Sequence, residues 1–418
     1  MNIEGIYKIY ANNYIVDTDT RSIRKGAVFF ALKGGNFNGN KFAQEALEKG
    51  ASYAVIDEKE YFINDRTILV NDVLKTLQEL ANYHRNKLAI PIVGLTGSNG
   101  KTTTKELIYS VLSKKYNVVA TKGNLNNHIG VPLTLLSMND KTEIGVVEMG
   151  ANNHGEIAML SRITNPTYGY ITNFGKAHLE GFGSVEGVIK AKSELYDFLR
   201  ENNKIVIVNP NDEIQSERTK KIHRVLFDES LKYISSSPYV TLDFLGINIK
   251  SNLIGKYNYT NICAAITIGK VFKLNIEKIK EAIEEYVPKN NRSQIIEKNN
   301  LKVILDAYNA NPTSMKNALE SFSELESDFK IVVLGDMFEL GRKSLEEHQI
   351  IADLVSSYKF NYSFLVGEHF NQVDTTLIQN KTFEEFRDSF KRLNLSKNTT
   401  ILVKGSRGMA LERVVELL

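Results

Sequence analysis

The sequence predicts an α/β protein of three units, and three observations carry that expectation. Short apolar runs alternate with helical patterns along the chain, the arrangement of parallel strands joined by crossover helices. A glycine-rich turn, Gly97 to Gly100, stands between a buried strand at Ile90 to Leu95 and the start of a helix. The closing third repeats one phrase four times, KVILDAYNANP, KIVVLGDMFELG, YSFLVGEH and TILVKGSRGM, each an apolar strand running into Asp, Asn, Gly or Lys.

The first unit, residues 1–87, alternates strands at Ala27 to Leu32, Tyr53 to Ile56 and Ile68 to Val70 with helices near Lys41 to Lys49 and Asp72 to Asn86. The second, 88–288, opens on the glycine-rich turn and continues with strands at Ile144 to Val147 and Tyr168 to Thr172, both ending in polar residues. A polar stretch, Pro288 to Gln294, reads as a hinge. In the third unit, 289–418, helical patterns follow the first three phrases. That order argues for a parallel doubly wound sheet with ligands at the carboxyl ends of its strands.

At 418 residues the chain exceeds one ordinary core. Its 52 basic and 49 acidic side chains nearly cancel, which argues against a nucleic-acid footprint or a membrane-surface charge bias. The single cysteine, Cys263, excludes an internal disulfide and sits among small apolar residues in NICAAITIG, a packing environment rather than a nucleophile's. With no leader or long apolar run, a soluble, cytoplasmic protein is expected.

The glycine turn is a phosphate cradle. Gly97, Ser98, Asn99 and Gly100 can aim backbone N–H groups at an anion, Lys101 adds a positive charge, and the Thr102 hydroxyl is of the kind that holds Mg²⁺ beside β- and γ-phosphates. Strict spacing would put glycine at position 95, where this chain has Leu95 with Gly94 before it. Glu148 ends the strand IGVVEMG, either as an oxygen ligand for Mg²⁺ or as a solvated strand-end carboxylate. His178, in ITNFGKAHLEGFG, lies beyond the next strand among glycines, with a functional and a structural role equally open. Lys192 falls in the middle of an apolar stripe, Val185, Val188, Ile189, Leu195, Tyr196 and Leu199, while Lys190 points away. A lysine there snorkels to the surface, or is paired or chemically altered; carbamylation by CO₂ would turn it into a carboxylate able to hold a second Mg²⁺.

GLTGSNGKTTTKE, GNLNNHIGVPLTLL, VVEMGAN, ITNFGKAHLEGFGSVEGVIKAKSE, GKYNYTNICAA, LDAYNANPTSM, LGDMFELG and LVKGSRGM, in this order, resemble the Mur ligase family over the whole chain. The resemblance implies an amino-terminal unit holding a UDP-sugar, a central phosphate-loop ATPase with a mainly parallel sheet, and a Rossmann-like carboxyl-terminal unit that closes over ATP. YNANP, GDMFELG and KGSRGM resemble the branch that adds D-alanyl-D-alanine to UDP-N-acetylmuramoyl-tripeptide, acting as a monomer. By position, Lys101, Thr102 and Thr103 would hold phosphates, and Thr102, Glu148, His178 and a carbamylated Lys192 would hold Mg²⁺, two ions in all. Lys101, His178 and Lys192 would carry the chemistry. Asn258 and Asn261 would approach the adenine side, and Arg292, Asp306, Tyr308, Asn309 and Asn311 would complete the ATP site. Thr20, Arg21, Ser22 and Asn38 resemble the uridine-nucleotide loops, and Asn126 and Asn127 a contact to the substrate stem. Lys404, Ser406 and Arg407 are acceptors for dipeptide or stem carboxylates. Two rivals remain: a folylpolyglutamate or cyanophycin-type ligase on the same scaffold, with DTRSIRKGAVFFALKG arguing against the folate reading, and a nucleotide-operated switch protein without ligase activity.

Overall fold

The computed structural model describes residues 1–289, 291–393, 395 and 398–418. The hinge expected over Pro288 to Gln294 includes Asn290, which lies outside the described residues. The amino-terminal sheet has four parallel strands in the order Val16–Asp17, Val28–Phe30, Tyr53–Ile56 and Thr67–Leu69. Asp72 caps the helix Val73–Leu88, its side chain accepting from the Lys75 amide, and this helix covers the sheet with Leu77, Leu80 and Ala81.

The central sheet is six-stranded and entirely parallel, in the order His223–Leu226, Ile205–Val208, Tyr168–Ile171, Ile92–Thr96, Ile144–Glu148 and Val118–Ala120. Helices on both faces leave Ile92–Thr96 and Ile144–Glu148 wholly buried, which is why both read as continuous apolar runs rather than alternating ones. Ile92–Thr96 lies between the strand that ends in Glu148 and the strand that leads to Thr172. The chain leaves it toward one edge and returns on the other side, so a crevice opens at its carboxyl end. The glycine turn sits at that switch point. Gly94 serves the sheet and not the turn: a side chain there would meet Pro166 Cβ at 2.9 Å and Met149 Cε at 3.1 Å. Leu95, fully buried, therefore removes nothing from the cradle.

An antiparallel meander, Leu231–Ser235, Thr241–Phe244 and Ile247–Lys250, follows the parallel sheet and was not separable from it by pattern. The carboxyl-terminal sheet runs Gln294–Lys298, Leu301–Asp306, Thr399–Lys404, Phe329–Gly335, Tyr362–Val366 and Ile378–Asn380. Its first pair is antiparallel and the rest parallel. The third phrase departs from expectation. YSFLVGEH is followed by one 3₁₀ turn, Phe370–Gln372, and the edge strand Ile378–Asn380, and only then by the helix Phe383–Phe390. Three residues of edge strand carry too short a pattern to be told from a loop.

Candidate functional site

A cavity of about 450 Å³ opens where the central crevice faces the carboxyl ends of the third unit's strands. Its wall includes Ser98, Asn99, Gly100, Lys101, Thr102 and Thr103 from the turn and its helix, with Glu148 and His178 behind them. Asn258 and Asn261 stand on one flank, and Arg292, Asp306, Tyr308, Asn309, Asn311 and Lys404 close it from the third unit. Asn126 and Asn127 line the opposite end.

Gly97 has φ +141°, and a Cβ there would lie 2.0 Å from Thr172 Oγ1 and 2.9 Å from the Thr172 amide. Only glycine fits such a conformation and such an approach. Gly97→Ala is expected to add about 1–3 kcal/mol of backbone strain to a direct clash. It should lower the thermal midpoint and weaken ADP binding together; calorimetry and nucleotide titration on one sample check this, and unchanged values would refute it.

The amides of the turn are distributed differently from the expectation. Ser98 N–H donates to the Asn173 carbonyl at 3.0 Å and Asn99 N–H to Asn173 Oδ1 at 3.1 Å, so both are spent inside the protein. The donors left for an anion belong to the first turn of the helix Lys101–Ser113, whose N-cap Gly100 supplies no side chain to occupy them. Asn173, in the ITNFG stretch, is thus the member of the cradle that sequence reasoning missed. Lys101 Nζ bends over the turn, 2.7 Å from the Gly97 carbonyl and 3.1 Å from that of Ser98. Burial lowers the Lys101 pKa, with Arg292 acting the same way and Glu148 and Glu339 opposing.

Glu148 is 1 % exposed. One carboxylate oxygen accepts from Asn126 Nδ2 at 2.8 Å and lies 3.3 Å from Thr102 Oγ1; the other, buried, has no hydrogen-bond partner. A buried carboxylate oxygen without a donor, beside a threonine hydroxyl, fits a hard divalent cation. Among the described residues no group of three or more His, Cys, Asp or Glu converges, so a cation here would need oxygens from other groups beside Glu148. The Glu148 strand end is itself held: its amide donates to Thr121 Oγ1, and the fully buried Lys105 donates to the Thr121 carbonyl at 2.6 Å. Lys105, four residues beyond Lys101, was not singled out because its burial depends on the neighbouring strand.

Lys192 is fully buried on the helix Val185–Glu201, and Lys190 is exposed, as the stripe requires. Lys192 Nζ donates to the Ala151 carbonyl at 3.2 Å and sits 5.2 Å from the Phe182 ring centre. Burial drives its pKa well below the ordinary lysine value, and the Lys101 charge adds to the effect against Glu156 and Glu194. Lys192 does not line the cavity wall but lies behind Ala151, which does.

Side-chain and backbone contacts hold the third unit over the turn. Asn311, which caps the helix Pro312–Glu324, donates from Nδ2 to Asn99 Oδ1 at 2.7 Å. Lys176 pairs with Glu347 at 2.7 Å, and its amide donates to Thr313 Oγ1 at 2.9 Å. His178 Nδ1 lies 2.5 Å from Glu339 Oε2. Asp306 pairs with Lys404 at 2.5 Å, as their opposed places on adjacent strands dictate, and Arg292 stacks 3.8 Å over the Tyr308 ring. Asn258 and Asn261 bond each other at 2.8 Å, and Asn261 accepts from Thr104 Oγ1 at 3.1 Å, bracing the helix Lys101–Ser113 from behind.

The remaining expected residues lie elsewhere. Ser22 lines a second cavity, about 250 Å³, between the first and central units, beside Asp17, Arg24 and Lys122. Thr20 is buried, Arg21 pairs with Asp19, and Asn38 braces Asn40 and Glu58; these three do not line it. Ser406 accepts from the Phe338 amide and Arg407 pairs with Glu412, both outside the wall of the large cavity. Cys263 is buried and its thiol pushed up to about 12 by burial, consistent with packing. No described helix is long and apolar enough to cross a membrane.

Three family models tile the chain: Mur ligase family, catalytic domain, over residues 13–91; Mur ligase middle domain over 95–269; and Mur ligase, glutamate ligase domain, over 291–407. A UDP-N-acetylmuramoyl-tripeptide–D-alanyl-D-alanine ligase of Bacillus subtilis is 36 % identical, covering 96 % of this chain and 92 % of the relative. The chain belongs to the Mur ligase family. Among solved structures, this Mur ligase matches MurF from Acinetobacter baumannii with a TM-score of 0.86 at 30 % identity, over 96 % of this chain and 92 % of that one. It also matches the MurF ligase of Thermotoga maritima in complex with ADP, with a TM-score of 0.86 at 27 % identity and 96 % of each chain covered. This Mur ligase is an ATP-dependent, ADP-forming peptide ligase.

Proposed function

We propose that the chain joins D-alanyl-D-alanine to UDP-N-acetylmuramoyl-tripeptide, forming the pentapeptide precursor of peptidoglycan in the cytoplasm. The observation that carries this reading is the meeting, in one cavity, of the phosphate turn, Glu148, His178 and the third unit's Arg292, Asp306 and Asn311. Residues 1–87 would hold the UDP-sugar, 88–288 ATP and 289–418 the acceptor dipeptide. The tripeptide's terminal carboxylate attacks the γ-phosphorus of ATP, ADP leaves, and an acyl phosphate forms. The dipeptide amine then attacks the acyl carbon and loses its proton. The tetrahedral intermediate collapses by breaking the C–O bond to phosphate.

Such steps need positioning and charge neutralisation rather than a protein nucleophile. Lys101 and the first-turn amides of its helix face the transferring phosphoryl group. Asn311 and Asn99 hold the units together while the acyl phosphate exists, keeping water out. Thr102, Glu148 and His178 would hold Mg²⁺, and a carbamate on Lys192 would supply the anionic oxygens for a second ion. Mg²⁺ bound there supplies neutralisation of charge on the phosphates. Lys404, fixed by Asp306, serves the nucleotide side; Arg407, exposed, would exchange its partner Glu412 for a carboxylate of the acceptor.

Phosphate release from ATP, with tripeptide substrate and D-alanyl-D-alanine each omitted in turn, tests the reading. Release that requires both is expected. Release with glutamate-type acceptors instead would point to another ligase of this scaffold, and ATP turnover indifferent to both substrates would point to a nucleotide switch.

A further inference from the structure

His178 and Glu339 belong to different units and meet at the cavity. His178 Nδ1 lies 2.5 Å from Glu339 Oε2, an imidazole–carboxylate contact made without hydrogen-bond alignment, and Nδ1 has no other hydrogen-bond partner. A second contact runs along the backbone, where the Glu180 amide donates to the Glu339 carbonyl at 3.2 Å. Both residues hold left-handed backbone, His178 at φ 51° and Glu339 at φ 64°. Non-glycine residues persist there only when their surroundings hold them, and such strain gathers at functional contacts.

The loop that brings Glu339 is anchored from beneath by groups no step of the ligation uses. Buried Asp336 accepts the amides of His369 at 3.0 Å and Phe370 at 2.9 Å. The Met337 amide donates to His348 Nε2 at 3.0 Å and the Phe338 amide to Ser406 Oγ at 2.9 Å. Glu339 is therefore presented from a rigid platform, and it reaches His178 only when the third unit sits against the central one.

A neutral imidazole has one N–H, and the partner of one nitrogen decides what the other offers. We propose that Glu339 is a positioning residue that holds the His178 ring with Nδ1–H toward its own carboxylate and the Nε2 lone pair toward the cavity. Closure of the third unit thereby completes the phosphate and metal side of the site. This rests on the reading of the cavity as an ATP site.

The test uses the full chain with ADP and the variants Glu339→Ala and Glu339→Gln. Nitrogen-15 spectra of labelled histidine, taken without metal, should show His178 as the Nδ1–H tautomer in the wild type and in Glu339→Gln, whose amide oxygen still accepts, and as the other tautomer or a mixture in Glu339→Ala. Mn²⁺ binding to the ADP complex should weaken by about 10–100-fold in Glu339→Ala and far less in Glu339→Gln. In turnover, kcat should fall while KM for the dipeptide stays near its original value. A wild-type tautomer and wild-type Mn²⁺ affinity in Glu339→Ala overturn the proposal. If Glu339→Ala loses its cooperative thermal transition, Glu339→Asp replaces it, with an intermediate tautomer ratio expected and an unchanged one overturning the proposal. Failure of the wild type to bind ADP would instead sink the ATP reading, independently of the variants.

Discussion

Lys101→Ala is expected to lower ligase turnover by about 10³-fold or more, the scale on which removing a preorganised cation from a phosphoryl-transfer site is felt. The side chain bends over the turn, with Nζ touching the carbonyls of Gly97 and Ser98, so it spans the part of the cradle whose own amides are occupied by Asn173. With those amides unavailable, the charge on Lys101 has no backbone substitute at that end of the site. Lys101→Arg should recover little, because a planar fork cannot follow the short path over Gly97. The helix Lys101–Ser113 is held by Leu107, Ile108, Val111 and Leu112, all buried, and none of these contacts involves the Lys101 ammonium. The thermal midpoint of Lys101→Ala should therefore stay near that of the wild type. Single-turnover measurement of acyl-phosphate formation separates the outcomes: wild-type chemistry in Lys101→Ala would remove the phosphate-turn assignment.

The sequence made some parts of this site plain for physical reasons. Parallel strands buried on both faces write themselves as apolar runs, so the strands ending in Glu148 and leading to Thr172 could be placed, and with them the crevice. Lys192 was visible because a helix's 3.6-residue period makes a charge on an apolar stripe conspicuous. What stayed hidden depends on long-range placement. Asn173 takes two amides of the turn from a loop 74 residues away, and Lys105 is buried by a strand end that no local pattern connects to it. Glu339 stood in a motif that was read, but its partner His178 lies in another unit, and no periodicity links them. Ser406 and Arg407 show the converse: their residue types suit carboxylates, yet one is used to hold the Phe338 amide and the other pairs with Glu412.

Lys192→Met should abolish measurable ligation, a loss of about 10²-fold or more if the residue brings an ion to the phosphates, and yet raise thermal stability. The two effects have one cause. Lysine in the unfolded chain keeps its ordinary pKa of 10.5, whereas burial depresses it in the folded protein. Between the depressed value and 10.5 the unfolded chain binds a proton that the folded one does not, so stability rises with pH across that window and the residue costs stability below it. Methionine, of similar length and without a charge, escapes this cost. In CO₂-depleted buffer the midpoint of Lys192→Met should exceed that of the wild type at neutral pH, and the gap should narrow as pH approaches 10.5. The same depression favours the unprotonated amine, the form that reacts with CO₂, so restoring CO₂ should close part of the gap by carbamylating the wild type. Carbon-13-labelled CO₂ should then give a carbamate carbonyl signal in the wild type that Lys192→Met lacks. In Lys192→Ala, whose smaller side chain leaves room, a short added carboxylate should restore part of the activity. Full activity in Lys192→Met would eliminate any chemical role for the residue. A silent carbon-13 spectrum from active wild type would eliminate the carbamate and leave Lys192 to act on the phosphates as an amine.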